Sequence, residues 1–279
     1  MPLRLYIRMN DLSVNLRGEV AVLTGGAGVL GTAMAMALAQ SGASIALLSR
    51  TKEKLEAACE QIRQRTGQSA LALAADVTDE VALREALRTL KDTIGHPTIL
   101  VNAAGGNRPG ATVMPEANIF ETSPTDWRQV IDLNLMGTVL PSIVFGEAMT
   151  GGGSIVNISS MAAERPLSRV GSYSASKAAI DNFTGWFAAE LALRYEGRIR
   201  VNAIAPGFFI ADQNRKLLLE DDGRPTARGQ QVLNQTPMRR FGEPEELQGA
   251  LLFLVSDAAS FVTGTVLRVD GGFSGWAGM

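Results

Sequence analysis

Short apolar runs alternate with longer stretches of mixed polarity along most of this chain. Val20 to Leu23, Ser44 to Leu48, Ala70 to Ala74, Ile99 to Val101, Ser154 to Ile158, Arg200 to Ile204 and Val266 to Val269 read as strands. The segments between them mostly read as helices, among them Leu30 to Gln40 and Lys52 to Arg65. A strand that is apolar almost throughout must be covered on both faces, so the pattern predicts a parallel sheet flanked by helices. The expected fold class is α/β: a Rossmann-type doubly wound sheet in a single domain spanning residues 1–279. No internal repeat and no linker rich in Pro, Gly or Ser divides it. Regular alternation breaks at 208–242, which contains Glu220-Asp-Asp-Gly-Arg-Pro225. A long excursion directly after the C-terminal end of a strand predicts a substrate lid. Residues 1–15 read as an N-terminal extension, with Met9 as an alternative start.

Composition narrows the function class. With 279 residues, 46% hydrophobic and 19% charged, the chain is long enough for one large core. A net charge of -2 and the absence of like-charge blocks disfavour a nucleic-acid surface and favour a small soluble ligand. Cys59 is the single cysteine and lies in a helical run, which predicts a packed thiol. Met34 and Met36 read as core fillers. No stretch approaches the roughly 20 apolar residues of a membrane span, and Arg4 and Arg8 interrupt the first nine residues too often for a signal peptide. A cytoplasmic protein without a membrane partner is expected. His96 precedes Pro97 at a turn. One His, one Cys and no carboxylates at ligand spacing predict no protein-held metal. Glu220, Asp221 and Asp222 read as a solvated turn, and no carboxylate pair near Ser160 and Tyr173 suggests glycosidase chemistry.

Three local patterns carry candidate chemistry. Gly26-x-Gly28-x-x-Gly31 follows the first strand and opens a helix, the context in which Gly25, Gly26, Gly28, Val29, Leu30 and Gly31 would cradle a pyrophosphate against the helix N-terminus. About 20 residues on, an NAD-selecting fold places an acid against the ribose 2′-hydroxyl. Here the sequence reads Ser49-Arg50-Thr51, and a guanidinium at Arg50 suits a 2′-phosphate, which favours NADP over NAD. Arg50 could instead stack on adenine or face solvent. Tyr173 and Lys177 are i and i+4 on one helix, so the ammonium can approach the ring, favour its phenolate and make it an acid/base. That spacing is common on helix surfaces, and only its context gives it weight.

The context is a resemblance to the short-chain dehydrogenase/reductase family over about Leu16 to Phe273. It rests on Thr24 to Gly31, Asp76-Val77, Asn102-Ala-Ala-Gly105, Asn134, Ile155-Val-Asn-Ile-Ser-Ser160, Tyr173 to Lys177, Pro206-Gly207 and Val269-Asp-Gly-Gly272. The resemblance implies Tyr173 as general acid/base, Ser160 as the hydroxyl that holds the substrate oxygen, and Asn134 as anchor of a proton-relay water. It implies that Lys177 binds the nicotinamide ribose and lowers the tyrosine pKa. Asp76 and Val77 would meet adenine, Asn102, Ala103, Ala104 and Gly105 would border the cofactor, and Pro206, Gly207 and Phe209 would lie along the nicotinamide. Two positions depart from the pattern. Val29 stands where short members usually carry glycine, a spacing shared with the extended branch; the ending at Val269-Asp-Gly-Gly-Phe keeps the short branch. Ala211 replaces a threonine that often holds the carboxamide, leaving that contact to backbone or to Asp212.

Within the short branch the chain is similar to the mannonate/fructuronate oxidoreductases. The similarity rests on Asn102 to Asn107, Asn157 to Met161, Ala205 to Phe209, Gln213-Asn214, Gly223 to Arg228 and Thr236 to Gly242. It implies interconversion of a sugar-acid keto group and a secondary alcohol. Such a substrate needs a cation for its carboxylate and polar groups for its hydroxyls. Candidates are Asn107, Arg108, Met161, Arg165, Gln213, Asn214, Arg215 and Lys216. Related sugar-acid enzymes that use NAD keep the choice between NAD and NADP open. Alternatives are a 5-ketogluconate reductase of the gluconate 5-dehydrogenase type, a 3-ketoacyl thioester reductase, and a catalytically silent nucleotide-binding regulator, whose usual sign is loss of the tyrosine, lysine or serine. The resemblance further implies a homotetramer assembled through the helices bearing Asn134 and Tyr173 and through the C-terminal strand region.

Overall fold

Strands β1 (Val20–Thr24), β2 (Ser44–Ser49), β3 (Ala70–Ala74), β4 (Ile99–Asn102), β5 (Gly153–Ile158), β6 (Ile199–Pro206) and β7 (Val266–Val269) form one sheet in the order β3-β2-β1-β4-β5-β6-β7. Every pairing is parallel. This computed structural model describes residues 14–149, 151–211 and 214–277. The alternative start Met9, most of the expected extension, Asp212 and Gln213 lie outside the described residues. Each strand expected from the apolar runs is present, its ends moved by at most two residues.

The periodicity explains the layers. Along β1, Ala21 and Leu23 join one apolar cluster while Val20 and Val22 join another on the opposite face. The first cluster takes Met34 and Leu38 of α1 (Val29–Gln40) and Leu55 and Ile62 of α2 (Lys52–Thr66). The second takes Leu83 and Leu90 of α3 (Glu80–Thr93) and Phe145 of α5, described below. Burying each such side chain contributes about 1.5–3 kcal/mol, and this explains why the strands needed no polar alternation. Cys59 is buried on α2, and desolvation pushes its thiol up to about 11; it is a packing residue, as expected. His96 is exposed in the connection from α3 to β4.

One helical run corrects the expectation that no segment has the length and apolarity of a membrane span. Helix α4 (Pro124–Ile131), a π turn (Asp132–Met136), α5 (Gly137–Gly146) and a final 3-10 turn (Glu147–Met149) form a continuous stretch that meets both criteria. Half of its apolar window is buried, with Val144, Phe145 and Met149 inside the core. Its apolarity therefore serves packing between the sheet and its neighbours.

Chain direction sets the site. Strands added after β1 run outward through β2 and β3, and β4 then begins on the other side of β1. The crevice at the C-terminal ends of β1 and β4, where Thr24 pairs with Asn102, is thus the topological switch point at which this architecture binds ligands. Beyond β6, residues 208–242 hold α7 (Arg215–Leu218) and α8 (Ala227–Gln235). A bridge between Phe209 and Gly242 closes the base of this excursion. Glu220, Asp221 and Asp222 form an exposed turn within it, and Asp222 pairs with Arg224 at 2.7 Å.

Candidate active site

At the switch point the β1–α1 turn is shaped for a diphosphate. Gly28 is the N-cap of α1, with no side-chain cap and no acidic residue in the first helical turn. The first amides of α1 therefore keep their capacity to bind an anion. Gly25 adopts φ 64°, and a Cβ there would lie 2.8 Å from both Ala103 O and Ala104 N. That close approach is fixed by the Thr24 hydroxyl, whose oxygen accepts from Ala103 N at 3.1 Å and Ala104 N at 3.2 Å. Val29, the departure from the family spacing, is simply the first and partly exposed residue of the helix. The turn fits a dinucleotide diphosphate without a glycine at that position.

The adenine edge lies at the ends of β2 and β3. Ser49 ends β2, while Arg50 and Thr51 are exposed beyond it. Arg50 Nη1 stands 4.0 Å from Asp76 Oδ2 with 69% of its side chain exposed, so the pair itself is worth little and the guanidinium is available. Burial alone would raise the Asp76 carboxyl. Hydrogen bonds from Thr78 N (2.9 Å) and Thr78 Oγ1 (2.7 Å), with the charge of Arg50, hold it below the usual carboxylate range. Val77 is buried beside Asp76.

The acid/base candidates converge from β5 and α6 (Gly171–Arg194). Lys177 is only 4% exposed; its Nζ donates to Ile158 O at 2.7 Å and sits 5.5 Å from the Tyr173 ring centroid. Ser160, just past β5, accepts from Ala162 N at 3.1 Å and hydrogen-bonds the Tyr173 phenol. The resemblance implies that Lys177 lowers the tyrosine pKa; the shift of Tyr173 in this structure has other causes. Desolvation pushes the phenol above its usual range, and the opposing influence is Ser160. Lys177 is itself lowered to about 8 by burial, against the pull of Asp181. Lys177 still carries its charge at neutral pH, and it loses that charge at a lower pH than an ordinary lysine.

Asp181 was not singled out by the sequence, although it continues the same stripe one turn beyond Lys177. Burial pushes its carboxyl up, a hydrogen bond from Ser159 opposes this, and Oδ1 is buried without a partner. The Lys177 shift has a measurable consequence. Its folded value lies below its ordinary 10.5, so between about pH 8 and 10.5 the unfolded chain holds a proton that the folded chain does not. Stability from this group rises with pH across that window, by up to about 3 kcal/mol. Denaturant titrations of the parent and Lys177→Met at successive pH values should therefore show a stability difference that moves in the parent's favour from pH 8 to 10.5. A difference independent of pH would mean that Lys177 titrates normally.

Asn134 lies in the π turn, fully buried. Its Nδ2 donates to Gly106 O at 2.7 Å and Val130 O at 2.8 Å, and its Oδ1 accepts from Gly106 N at 3.1 Å. Gly105 can have no side chain here: a Cβ would lie 2.7 Å from Asn134 Oδ1 and 3.3 Å from Lys177 Nζ. A buried polar network extends from this point. Thr138 Oγ1 donates to Asn134 O, Ser142 Oγ to Thr138 O, Asn102 Nδ2 to Ser142 Oγ and Asn157 Oδ1, and Asn157 Nδ2 to Thr184 Oγ1. It ties β4, β5, α5 and α6 together in a low-dielectric interior, where satisfied hydrogen bonds fix relative position. The Asn102 amide is thus engaged inside the sheet, and within its motif Ala103, Ala104 and Gly105 are the accessible residues. Thr138, Ser142 and Thr184 carried no sequence signal, because hydroxyls on a helix are unremarkable until their partners are known.

The remaining candidates separate. Pro206 ends β6, and Gly207 N donates to Val269 O at 2.9 Å, presenting this segment beside the C-terminal strand. Phe209 is buried at the lid base. Met161 is 2% exposed, Arg165 Nε donates to Ser274 O at 3.2 Å, and Asn214 accepts from Ala211 N and donates to Phe209 O, both at 2.8 Å. In this structure these three make contacts within the protein, Met161 in the core and Arg165 and Asn214 with backbone carbonyl and amide groups. The Asn214 contact also answers for Ala211, whose backbone it holds. Arg108, Arg215 and Lys216 are exposed. Asn107 donates to Thr112 Oγ1 at 2.7 Å while its Oδ1 is buried without a partner. A pocket of about 380 Å³ opens where 166–168 meets Phe208, Phe273 and α8, and Arg228 lines it. Its arginine was missed because Gly223 to Arg228 was read as a similarity and not for its charge.

With this geometry in place, comparison with known proteins is informative. A family model described as enoyl-(acyl carrier protein) reductase matches residues 25–274. An uncharacterised oxidoreductase of Bacillus subtilis, UxuB, is 43% identical over 97% of this chain and 100% of its own length. A crystal structure from Haemophilus influenzae, provisionally named a D-mannonate oxidoreductase and holding NAD, is 41% identical with a TM-score of 0.88, covering 95% of this chain and 98% of that one. A gluconate 5-dehydrogenase of Burkholderia cenocepacia in complex with NADP and tartrate is 31% identical with a TM-score of 0.85, covering 95% and 98%.

Proposed function

The chain belongs to the short-chain dehydrogenase/reductase family of NAD(P)-dependent oxidoreductases, and on that premise we propose that it interconverts the keto group of a sugar acid and the corresponding secondary alcohol, with D-fructuronate and D-mannonate as the pair. The observation that carries the chemistry is the grouping of Ser160, Tyr173 and Lys177 beside the switch-point crevice. Substrate choice rests on the full-length similarity to the Haemophilus protein and on the stretches within 205–242.

In this reading the β1–α1 turn binds the dinucleotide diphosphate, Arg50, Asp76 and Val77 the adenosine end, Lys177 the nicotinamide ribose, and Pro206-Gly207 the nicotinamide. When bound, the cofactor supplies or accepts the hydride. Tyr173 delivers the proton to the carbonyl oxygen during reduction and receives it during oxidation. The raised phenol keeps Tyr173 protonated, so it is poised as an acid in the reductive direction. Ser160 donates to the same oxygen as charge develops there. Asn134, pinned by three hydrogen bonds, keeps the Gly105-Gly106 backbone in place beside Lys177 and is the anchor for a relay water. Residues 208–242 close over the substrate within a single domain. Arg50 suits NADP, whereas the Haemophilus relative holds NAD; both cofactors belong in the test.

That test is reduction of fructuronate, tagaturonate, 5-ketogluconate and an acetoacetyl thioester with NADH and with NADPH. Fructuronate is expected to give the highest kcat/KM. Preference for 5-ketogluconate would favour the second reading, supported by the likeness to the Burkholderia enzyme. Preference for the thioester, or tight cofactor binding with no turnover, would reject a sugar-acid function. Trp186 and Leu193 on α6 and Ile143 on α5 leave large apolar surface exposed, as a homotetramer built on these helices requires. Sedimentation at the mass of one chain would exclude it.

A further inference from the structure

We infer that Arg228, with the charge of Arg169 near it, is the carboxylate clamp of the substrate site, an anion subsite in the pocket beside α8. Arg228 lines the pocket of about 380 Å³ together with Ser168 and Phe208. Phe208 follows the Pro206-Gly207 segment directly, and the 166–168 wall belongs to the loop joining Ser160 to Tyr173. The pocket therefore borders both segments that carry the proposed chemistry, and Leu167 N is within 3.4 Å of Ser174 Oγ, next to Tyr173.

Several features oppose a guanidinium at this place unless an anion accompanies it. Arg228 is half-buried, in the first turn of α8, where the helix dipole disfavours a cation. Burial pushes its pKa down, and the neighbouring charge of Arg169 pushes it further in the same direction. Nine arginine and lysine side chains elsewhere find carboxylate partners, but among the described residues neither Arg228 nor Arg169 has one. Arg169 is also a non-glycine residue held at φ 76°, with its carbonyl fixed by Val113 N at 2.9 Å. Strain of that kind, stored beside a second uncompensated cation, is characteristic of a ligand site. A carboxylate held by Arg228 would relieve the repulsion between the two cations and supply charge-assisted hydrogen bonds to its guanidinium. Ser168, Gln231, Asn234 and Gln235 also line the pocket and offer polar groups for the hydroxyls of a sugar acid. The three arginines favoured by sequence spacing do not meet these conditions: Arg165 is engaged with Ser274, and Arg108 and Arg215 are exposed.

This inference rests on the sugar-acid reading, and the test separates the two. Binding of D-gluconate and of its neutral counterpart D-sorbitol is measured by calorimetry on cofactor-saturated enzyme, for the parent, Arg228→Met, Arg228→Lys and Arg169→Gly. Glycine suits the positive φ of position 169, so removing the arginine side chain there adds no backbone strain. The dissociation constant for gluconate is expected to rise at least about tenfold in Arg228→Met and Arg169→Gly and less in Arg228→Lys, whereas the ratio of gluconate to sorbitol affinity collapses toward unity. Equal gluconate affinity in parent and variants, or no gluconate binding by the parent, overturns the clamp. An inactive substrate panel with arginine-dependent gluconate binding rejects the proposed reaction and keeps the clamp. Turnover of fructuronate with kinetics indifferent to both arginines rejects the clamp and keeps the reaction.

Discussion

Tyr173→Phe is expected to lower kcat by about three to four orders of magnitude while leaving cofactor affinity within about threefold of the parent. The phenol hydroxyl is the only group in the Ser160–Tyr173–Lys177 cluster placed to exchange a proton with a substrate oxygen at neutral pH. Lys177 is committed to Ile158 O, and a serine hydroxyl is far too weak an acid. The ring itself supplies the face near the Lys177 ammonium and is retained in phenylalanine, so binding and folding should survive. Stopped-flow turnover paired with quenching of reduced-cofactor fluorescence measures both quantities. Activity within tenfold of the parent would show that the proton comes from elsewhere.

Replacing Ser160 by alanine should cost about 10² to 10³ in kcat, the usual size of losing one donor to a developing oxyanion. A second effect identifies the mechanism. Ser160 is the group that opposes desolvation at Tyr173, so its loss lets the phenol rise further. Alcohol oxidation needs the deprotonated phenol and gains rate with increasing pH; the variant's rise should therefore begin at higher pH than the parent's. Ketone reduction needs the protonated phenol, and its fall at alkaline pH should likewise move upward. Ser160 also caps the following 3-10 turn through Ala162 N, so a stability loss of about 1 kcal/mol is expected. If the rate falls while both pH profiles stay in place, the serine acts only on local structure and not on the tyrosine.

The legibility of this protein differs from element to element. The strands could be read because a strand buried on both faces is marked by its own apolar run, with no knowledge of its neighbours. The β1–α1 turn could be read for the same local reason, since tight glycine geometry and a helix start fall within eight residues. Tyr173 and Lys177 share one helix, so their proximity follows from its pitch. What Met161, Arg165 and Asn214 touch, core or backbone, was not legible, because tertiary packing fixes it and it leaves no local mark. The apolar stretch from Pro124 to Met149 was misjudged: the π turn keeps it one helical run, whereas the sequence suggested nothing of membrane-span length.

The sequence by itself determined the α/β architecture, the glycine turn before α1 and the proximity of Tyr173 to Lys177, all set by short-range periodicity or by motifs within single elements. Tertiary structure alone decided the charge states and the partnerships. Desolvation raises Tyr173 and lowers Lys177 because distant segments exclude water from them. The hydrogen bonds joining Asn102, Ser142, Asn157 and Thr184 exist only once β4, β5, α5 and α6 are assembled. The setting of Arg228 arises in the same way, since the pocket it lines and the nearby charge of Arg169 come from segments far apart in the chain.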